Sequence, residues 1–254
     1  MKTVAIHQPS YLVWPPLLEK MALADAFIYL DDAEFTKRSE IHRNRILAPQ
    51  GPQWISVPNK AHRGELICDV KVANREWAHQ HRTTICHFYR RSSGYQLCQE
   101  SFAALYEDPP ALLSEVNIAT TEWLRNQIGI TTPTLRSSEL CIGTKGWERV
   151  LDLCLAVGAK RYLTGTGSLD YLNFEAFREA GIEVLVQRYR HDPYPQQFGL
   201  PEFYSHLSTI DMLFNMGPGC LDEILRRGLW EPAPGHGDPG ATMNLYEERH
   251  AAQD

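Results

Sequence analysis

Two apolar strands separated by one helix-length crossover occupy the first 32 residues, and they constrain the fold more than any other feature. "TVAI" ends in a His-Gln-Pro turn. "PPLLEKMALAD" reads as a helix, with prolines in the first turn where a missing amide proton costs nothing. "AFIYL" then runs into Asp31-Asp32. Strands joined by a crossover of this length form a βαβ unit, parallel and right-handed by default.

The alternation weakens in the middle of the chain and returns later. "QWISVPN" and "DVKVA" read as strands. Three helices are expected: one carrying Trp77, His81, Ile85 and Phe88 at helical spacing with an Asn cap, then Gln96–Tyr106 and 110–127. "TPTLRSSEL" holds a strand. "GWERVLDLCLAVGAKR" places Trp147, Val150, Leu151, Cys154 and Leu155 on one stripe, with Gly158 as its stop. "RYLTGTG", "NFEAFREAGI" and "EVLVQRY" follow as strand, helix and strand, and "HLSTIDMLFNMG" opens a helix capped by Ser208 or Thr209. The expected fold is α/β: a mostly parallel sheet flanked by helices, in a single domain over residues 1–230. A helical insertion is expected at about 75–128, beside the ligand cleft as a lid. Residues 231–254 offer little to pack and are expected to form a mobile tail.

Open parallel sheets bind ligands outside the carboxyl ends of their strands. The strand ends here carry His7-Gln8, Asp31-Asp32, Thr164 with its glycine turn, and the Tyr189-Arg190-His191 run. Pro9 fixes its own φ and keeps Gln8 extended, so the neighbouring side chains are aimed rigidly. His7 is a candidate base and Asp31 or Asp32 its orienting partner; each residue type also serves ordinary structural ends. Tyr11 and Trp14 suit a ligand wall as well as a core. Lys37, Arg38, His42, Arg43 and Arg45 gather up to five positive groups around Asn44, an anion trap in a chain whose formal net charge is -6. That overall charge opposes general nucleic-acid binding. Six cysteines without CxxC or metal-like spacing read as reduced thiols of a cytoplasmic protein with no metal site. No apolar run reaches the length of a membrane span.

In order along the chain, "IHQPSYLVW", "FIYLDDAEFTKR", "RNRI", "QWISVP", Trp77/His81, "SSEL", "YLTGTGSLDYLN" and "LSTIDMLFNMGP" resemble the WbqC-like protein family. The family's usual "HQPxYLPW" has Val13 in place of its second proline here. The resemblance implies a bacterial biosynthetic enzyme, since such proteins occur with surface-sugar genes and beside carrier-protein assembly lines. The leading expectation is acyl or aminoacyl transfer from a carrier-bound phosphopantetheine thioester to an amine. The expected partners are a small-molecule or carrier-bound substrate and an acyl or peptidyl carrier protein, with no bound cofactor, no nucleic acid and no membrane. His7 would take the amine proton, and Gln8 or Asn44 would serve the oxyanion. Lys37, Arg43 and Arg45 would hold phosphates, with Tyr11, Trp14, His81, Thr164 and His191 completing the substrate site. Two alternatives belong to other classes: a nucleotidyltransferase-like enzyme using the "HLSTID" helix start, and a non-catalytic ligand- or carrier-binding module.

Overall fold

The computed structural model describes residues 1–37, 39–238 and 240–247. The chain opens with β1 (Thr3–His7), α1 (Pro15–Leu23) and β2 (Ala26–Tyr29). β1 and β2 are parallel, with His7 opposite Tyr29, so the first βαβ unit forms as its spacing demands. A hairpin of β3 (Arg43–Ala48) and β4 (Gly51–Ser56) follows as a separate antiparallel pair. Next come α2 (Glu76–Tyr89), α3 (Ser93–Ala104) and α4 (Leu113–Gln127). The later half contributes β5 (Thr134–Arg136), α5 (Gly146–Ala156), β6 (Arg161–Gly165), α6 (Phe174–Glu179) and β7 (Glu183–Tyr189). It ends with α7 (Thr209–Met216), α8 (Cys220–Arg226) and β8 (Gly228–Pro232).

The main sheet has six strands in the order β5-β2-β1-β6-β7-β8. Every pair is parallel except β7–β8. From β1 the chain builds outward through β2 and β5, then returns to the other side of β1 and builds outward again. The order therefore reverses between β1 and β6, which is the switch point of this sheet.

Strand alternation divides the core into two layers. Ala5, Phe27, Leu163 and Leu185 face α1, where they join Leu17, Leu18 and Met21 and a large cluster continuing into α2, α3, α4 and α7. Val4, Ile6, Ile28, Tyr162, Val184 and Val186 face α5 and α6, against Val150, Leu153, Cys154 and Phe177. α3 crosses α7 so closely that a Cβ on Gly94 would press on the Leu213 and Phe214 carbonyls.

Two expectations change. "DVKVA" forms no strand: Lys71 and Val72 make only isolated bridges, to Leu112 and Asn59. Its backbone bonds alternate between residues 58–60 and 111–113, so neither neighbour builds a ladder. Residues beyond Glu231 do pack. β8 extends to Pro232 beside β7, Trp230 is fully buried, and Met243 pairs with it across a bridge. Ala233 and Leu245 are buried as well. Residues 248–254 of the expected tail lie outside the described residues, as does Arg38.

Candidate functional site

A pocket of about 860 Å³ opens at the switch point. His7 and Gln8 from the end of β1, Asp32 after β2, and Thr164 at the end of β6 all line it. Four strand-end residues read from the sequence thus meet in one cavity. Ile6, Leu30, Val150 and Tyr162 give it an apolar wall. Its remaining walls come from Lys20, from Ala33, Glu34, Gly64 and Leu66, from the loop before α5, and from the glycine turn after β6.

The His-Gln-Pro turn is pinned from behind. Asn117 of α4 donates to the Pro9 carbonyl at 3.0 Å and to the Ile41 carbonyl at 2.7 Å. Asn44 donates to the Leu12 carbonyl at 2.8 Å and accepts from the Arg45 amide at 2.8 Å. Thr209 donates its hydroxyl to the Val13 carbonyl at 2.8 Å. The turn runs through buried space with its carbonyls satisfied by side chains, as buried backbone requires. Leu12 sits at a φ of 45°, a strained conformation that these bonds hold in place.

His7 shares a hydrogen bond of 2.8 Å between Nδ1 and the Gln8 carbonyl. A carbonyl can only accept, so the proton resides on Nδ1 and Nε2 keeps its lone pair. Burial, chiefly, and the nearby Lys20 cation push its pKa down to about 3, against the Gln8 bond. The ring is therefore neutral at physiological pH.

Lys20 was not foreseen. It lies on α1, is 6 % exposed, and lines the same pocket. Its Nζ is 3.5 Å from where a Cβ on Gly165 would stand. Burial lowers its pKa to about 8, with Glu19 working the other way. Glu19 itself is fully buried. It accepts from Trp230 Nε1 at 2.9 Å and from Gln187 Nε2, which also donates to the Pro16 carbonyl at 2.9 Å. Burial raises the Glu19 pKa to about 8 despite those bonds and Lys20. One signal was available: "PPLLEKMAL" is apolar on every side, so its two adjacent charges have no solvent face to occupy.

Neither aspartate bonds to His7; the Gln8 carbonyl holds the ring instead. Asp31 is buried and accepts from the Ser138 amide at 3.0 Å, the Ser138 hydroxyl at 2.7 Å and the Ser137 hydroxyl at 3.1 Å. Asp32 pairs with Arg149 of α5 and accepts from Ser137 at 2.6 Å. Both carboxylates tie the end of β2 to the turn after β5.

The other residues named from the sequence lie outside the pocket lining. Tyr11 and His81 are buried together, with the Tyr11 hydroxyl 2.9 Å from His81 Nδ1 and 2.8 Å from Tyr106. Burial lowers the His81 pKa to about 4. Arg43 and Arg45 stand over the Trp54 ring on the β3–β4 hairpin, at 4.4 and 5.5 Å from its centroid. Lys37 is exposed before that hairpin. Trp14 stacks on His191, and His191 on His206, with the two imidazole centroids 3.8 Å apart. α2, α3 and α4 contribute no residue to the pocket; they pack into the α1-side core and serve as its wall rather than as a lid.

Among the described residues, no group of three or more His, Cys, Asp and Glu is placed to hold a metal ion. No helix among them is long and apolar enough to cross a membrane. All six cysteines are free thiols.

The family model described as the WbqC-like protein family matches residues 8–223. An uncharacterized protein of Mycobacterium tuberculosis (strain ATCC 25618 / H37Rv), Rv1507c, is 30% identical over 228 residues, which span 88% of this chain and 98% of that protein. No solved structure matches.

Proposed function

This chain belongs to the WbqC-like protein family, and from its rim pocket we propose that it transfers an acyl or aminoacyl group from a carrier-bound phosphopantetheine thioester to an amine. The setting would be cytoplasmic, in bacterial surface-sugar or natural-product biosynthesis, with an acyl or peptidyl carrier protein as partner. The observation that carries the reading is the pairing of a neutral His7, its Nε2 unprotonated, with the buried Lys20 ammonium in one pocket.

The amine nitrogen attacks the thioester carbonyl, and His7 Nε2 takes the proton that the nitrogen loses. The carbonyl oxygen becomes an oxyanion, for which Lys20 is the adjacent cation. Collapse breaks the carbon–sulfur bond, and the His7 imidazolium returns its proton to the departing thiolate. An amide and a free thiol result. Burial, chiefly, and Lys20 keep His7 unprotonated in the resting site and make it a weak base there, so the proton transfer relies on the charge that the oxyanion brings. Protonating the ring beside Lys20 is unfavourable in the resting site, and becomes favourable only once the oxyanion supplies negative charge. The stabilisation is thereby concentrated in the transition state. Gln8 remains in the pocket as a polar contact, whereas Asn44 is occupied by the backbone of the turn.

The nucleotidyltransferase reading loses its helix start, because Ser208 and Thr209 are fully buried and bonded to the α7 backbone and to Val13.

The test is amide formation from acyl-phosphopantetheine thioesters and amino-sugar acceptors, followed by mass spectrometry. His7→Ala and His7→Gln should lose about 10²–10⁴-fold in rate, as removal of a general base does, with an unchanged thermal melt. Full activity in His7→Ala, or loss that tracks unfolding, would make the histidine structural and end this mechanism. Carrier or ligand binding without turnover would point to the non-catalytic module.

A further inference from the structure

The pocket has a second wall, which the acyl-transfer step meets only at Lys20. Gly143, Thr144, Lys145 and Gly146 line it at the start of α5. Gly165, Gly167 and Ser168, from the turn after β6, line the same cavity. α5 is eleven residues long and has no side-chain cap at its N-terminus. The amides of Gly146, Trp147 and Glu148 find no acceptor among the described residues. Gly146 adopts a φ of 61°, a left-handed turn into the helix that glycine takes without strain.

This loop is held rigidly. Arg149, one turn into α5, donates to the Thr144 carbonyl at 3.3 Å and to the Ile142 carbonyl, and it pairs with Asp32. Thr144 donates to Asp152 at 2.7 Å. The pocket's two carboxylates are both engaged: Asp32 by Arg149, and Glu34 by the Gly64 amide at 3.1 Å. Its lysines are not. Lys145 is exposed at the rim, and Lys20 has no hydrogen-bond acceptor among the described residues although it is buried. A buried ammonium without an acceptor, opening onto uncapped helix amides and a glycine turn, matches the needs of a phosphoryl oxyanion.

We propose that this wall is a phosphate subsite, in which a phosphoryl group of the substrate sits between the start of α5 and the Gly165–Ser168 turn, within reach of Lys145 and Lys20. The inference deepens the acyl-transfer reading by naming how its substrate is anchored. It moves the anchor from the β3–β4 arginines to the loops before α5 and after β6. Two substrates of that reaction carry the chemistry: a nucleoside-diphosphate sugar, whose phosphates lie near its amine so that Lys20 can serve phosphate and oxyanion together, and phosphopantetheine, whose arm holds the phosphate far from the thioester so that Lys20 serves only one of them.

Calorimetric titration of the full chain separates the cases. The probes are phosphopantetheine, pantetheine lacking the phosphate, and UDP. At least one phosphorylated probe should bind saturably, and phosphopantetheine, if it is the source, should bind about tenfold or more tighter than pantetheine, as a charge-assisted bond implies. Lys145→Ala, an exposed change that leaves folding intact, should weaken that probe about tenfold, and Lys20→Met likewise. Lys60→Ala, at an exposed site outside the pocket, should have no effect. Saturable binding of UDP alone identifies the acceptor as the anchored substrate. Equal affinity for pantetheine and phosphopantetheine without UDP binding, or unchanged affinity in Lys145→Ala, overturns the subsite. Phosphate binding without amide formation would keep the subsite and remove the acyl-transfer reading; amide formation insensitive to Lys145 would do the reverse.

Discussion

Replacing Lys20 with methionine should make this protein more stable and less able to work. The Lys20 ammonium is 6 % exposed, and burial lowers its pKa from 10.5 to about 8. A shift of that size corresponds to about 3 kcal/mol against the charged form in the folded state. Methionine has nearly the same shape and no charge, so Lys20→Met removes this penalty with little repacking. Glu19 then loses its neighbouring cation, which gives back part of the gain. A net stabilisation of about 1–3 kcal/mol at pH 7 is expected, or roughly 2–10 °C in Tm for a chain of this size. The pH dependence identifies the cause. Between pH 8 and 10.5 the unfolded chain holds a proton on Lys20 that the folded chain has released, so wild-type stability gains with rising pH in that window. The variant gains nothing there from this group. The gap between the two, measured by urea unfolding at pH 7 and pH 10.5, should therefore close. A destabilised variant, or a gap constant across the window, would show that the ammonium carries no desolvation cost. Amide formation should fall by about 10²–10³-fold if Lys20 faces the oxyanion.

Three further outcomes follow from the same packing. Gly228→Ala drives a Cβ into the Glu19 carboxyl group; it should destabilise by about 2–3 kcal/mol, an overpacking cost, read as a lowered urea midpoint, and an unchanged midpoint would contradict the contact. Glu19, whose pKa burial raises from 4.5 to about 8, holds a proton in the folded state that the unfolded chain releases across that interval. Its contribution to stability is full below pH 4.5 and is lost as pH rises toward 8, so Glu19→Gln should gain on wild type over pH 5–8.5 in denaturant titrations; a flat difference would refute the shift. Asn117→Ala strips the Pro9 and Ile41 carbonyls of a donor and should cost about 1–3 kcal/mol by the same assay, with activity falling further as the His7 turn loosens.

The sheet was legible because its signals are local. Val4, Ile6, Phe27 and Ile28 carry the strand pattern within 25 residues, and the rule that strand ends bear ligands led directly to His7, Gln8, Asp32 and Thr164. The arginine cluster shows where local reading stops. Arg43 and Arg45 are two apart on a strand, so they share a face, and that face is filled by Trp54 from the partner strand. Charge density along the sequence could not distinguish a ligand trap from a stack on an indole ring. Glu19 and Lys20 had only the apolar surroundings of their helix to mark them, and the groups that enclose Glu19, Gln187 and Trp230, lie far along the chain. Asn44 and Thr209 sit in conspicuous motifs yet hold the backbone of the His7 turn, and Ser208 caps α7.

The bond from Trp230 to Glu19 links positions 211 residues apart, and this has a consequence in time. During synthesis, α1 leaves the ribosome with a carboxylate and an ammonium that no nearby segment can enclose. Gln187 arrives 168 residues after Glu19, and Trp230 later still. The first helix can form early, but its charged pair stays hydrated until the last strand docks on β7. Contacts of such separation slow folding and leave unfinished chains exposed to aggregation. The enclosure of Glu19 beneath the pocket therefore waits for β8, although β1 and α1 are made long before it.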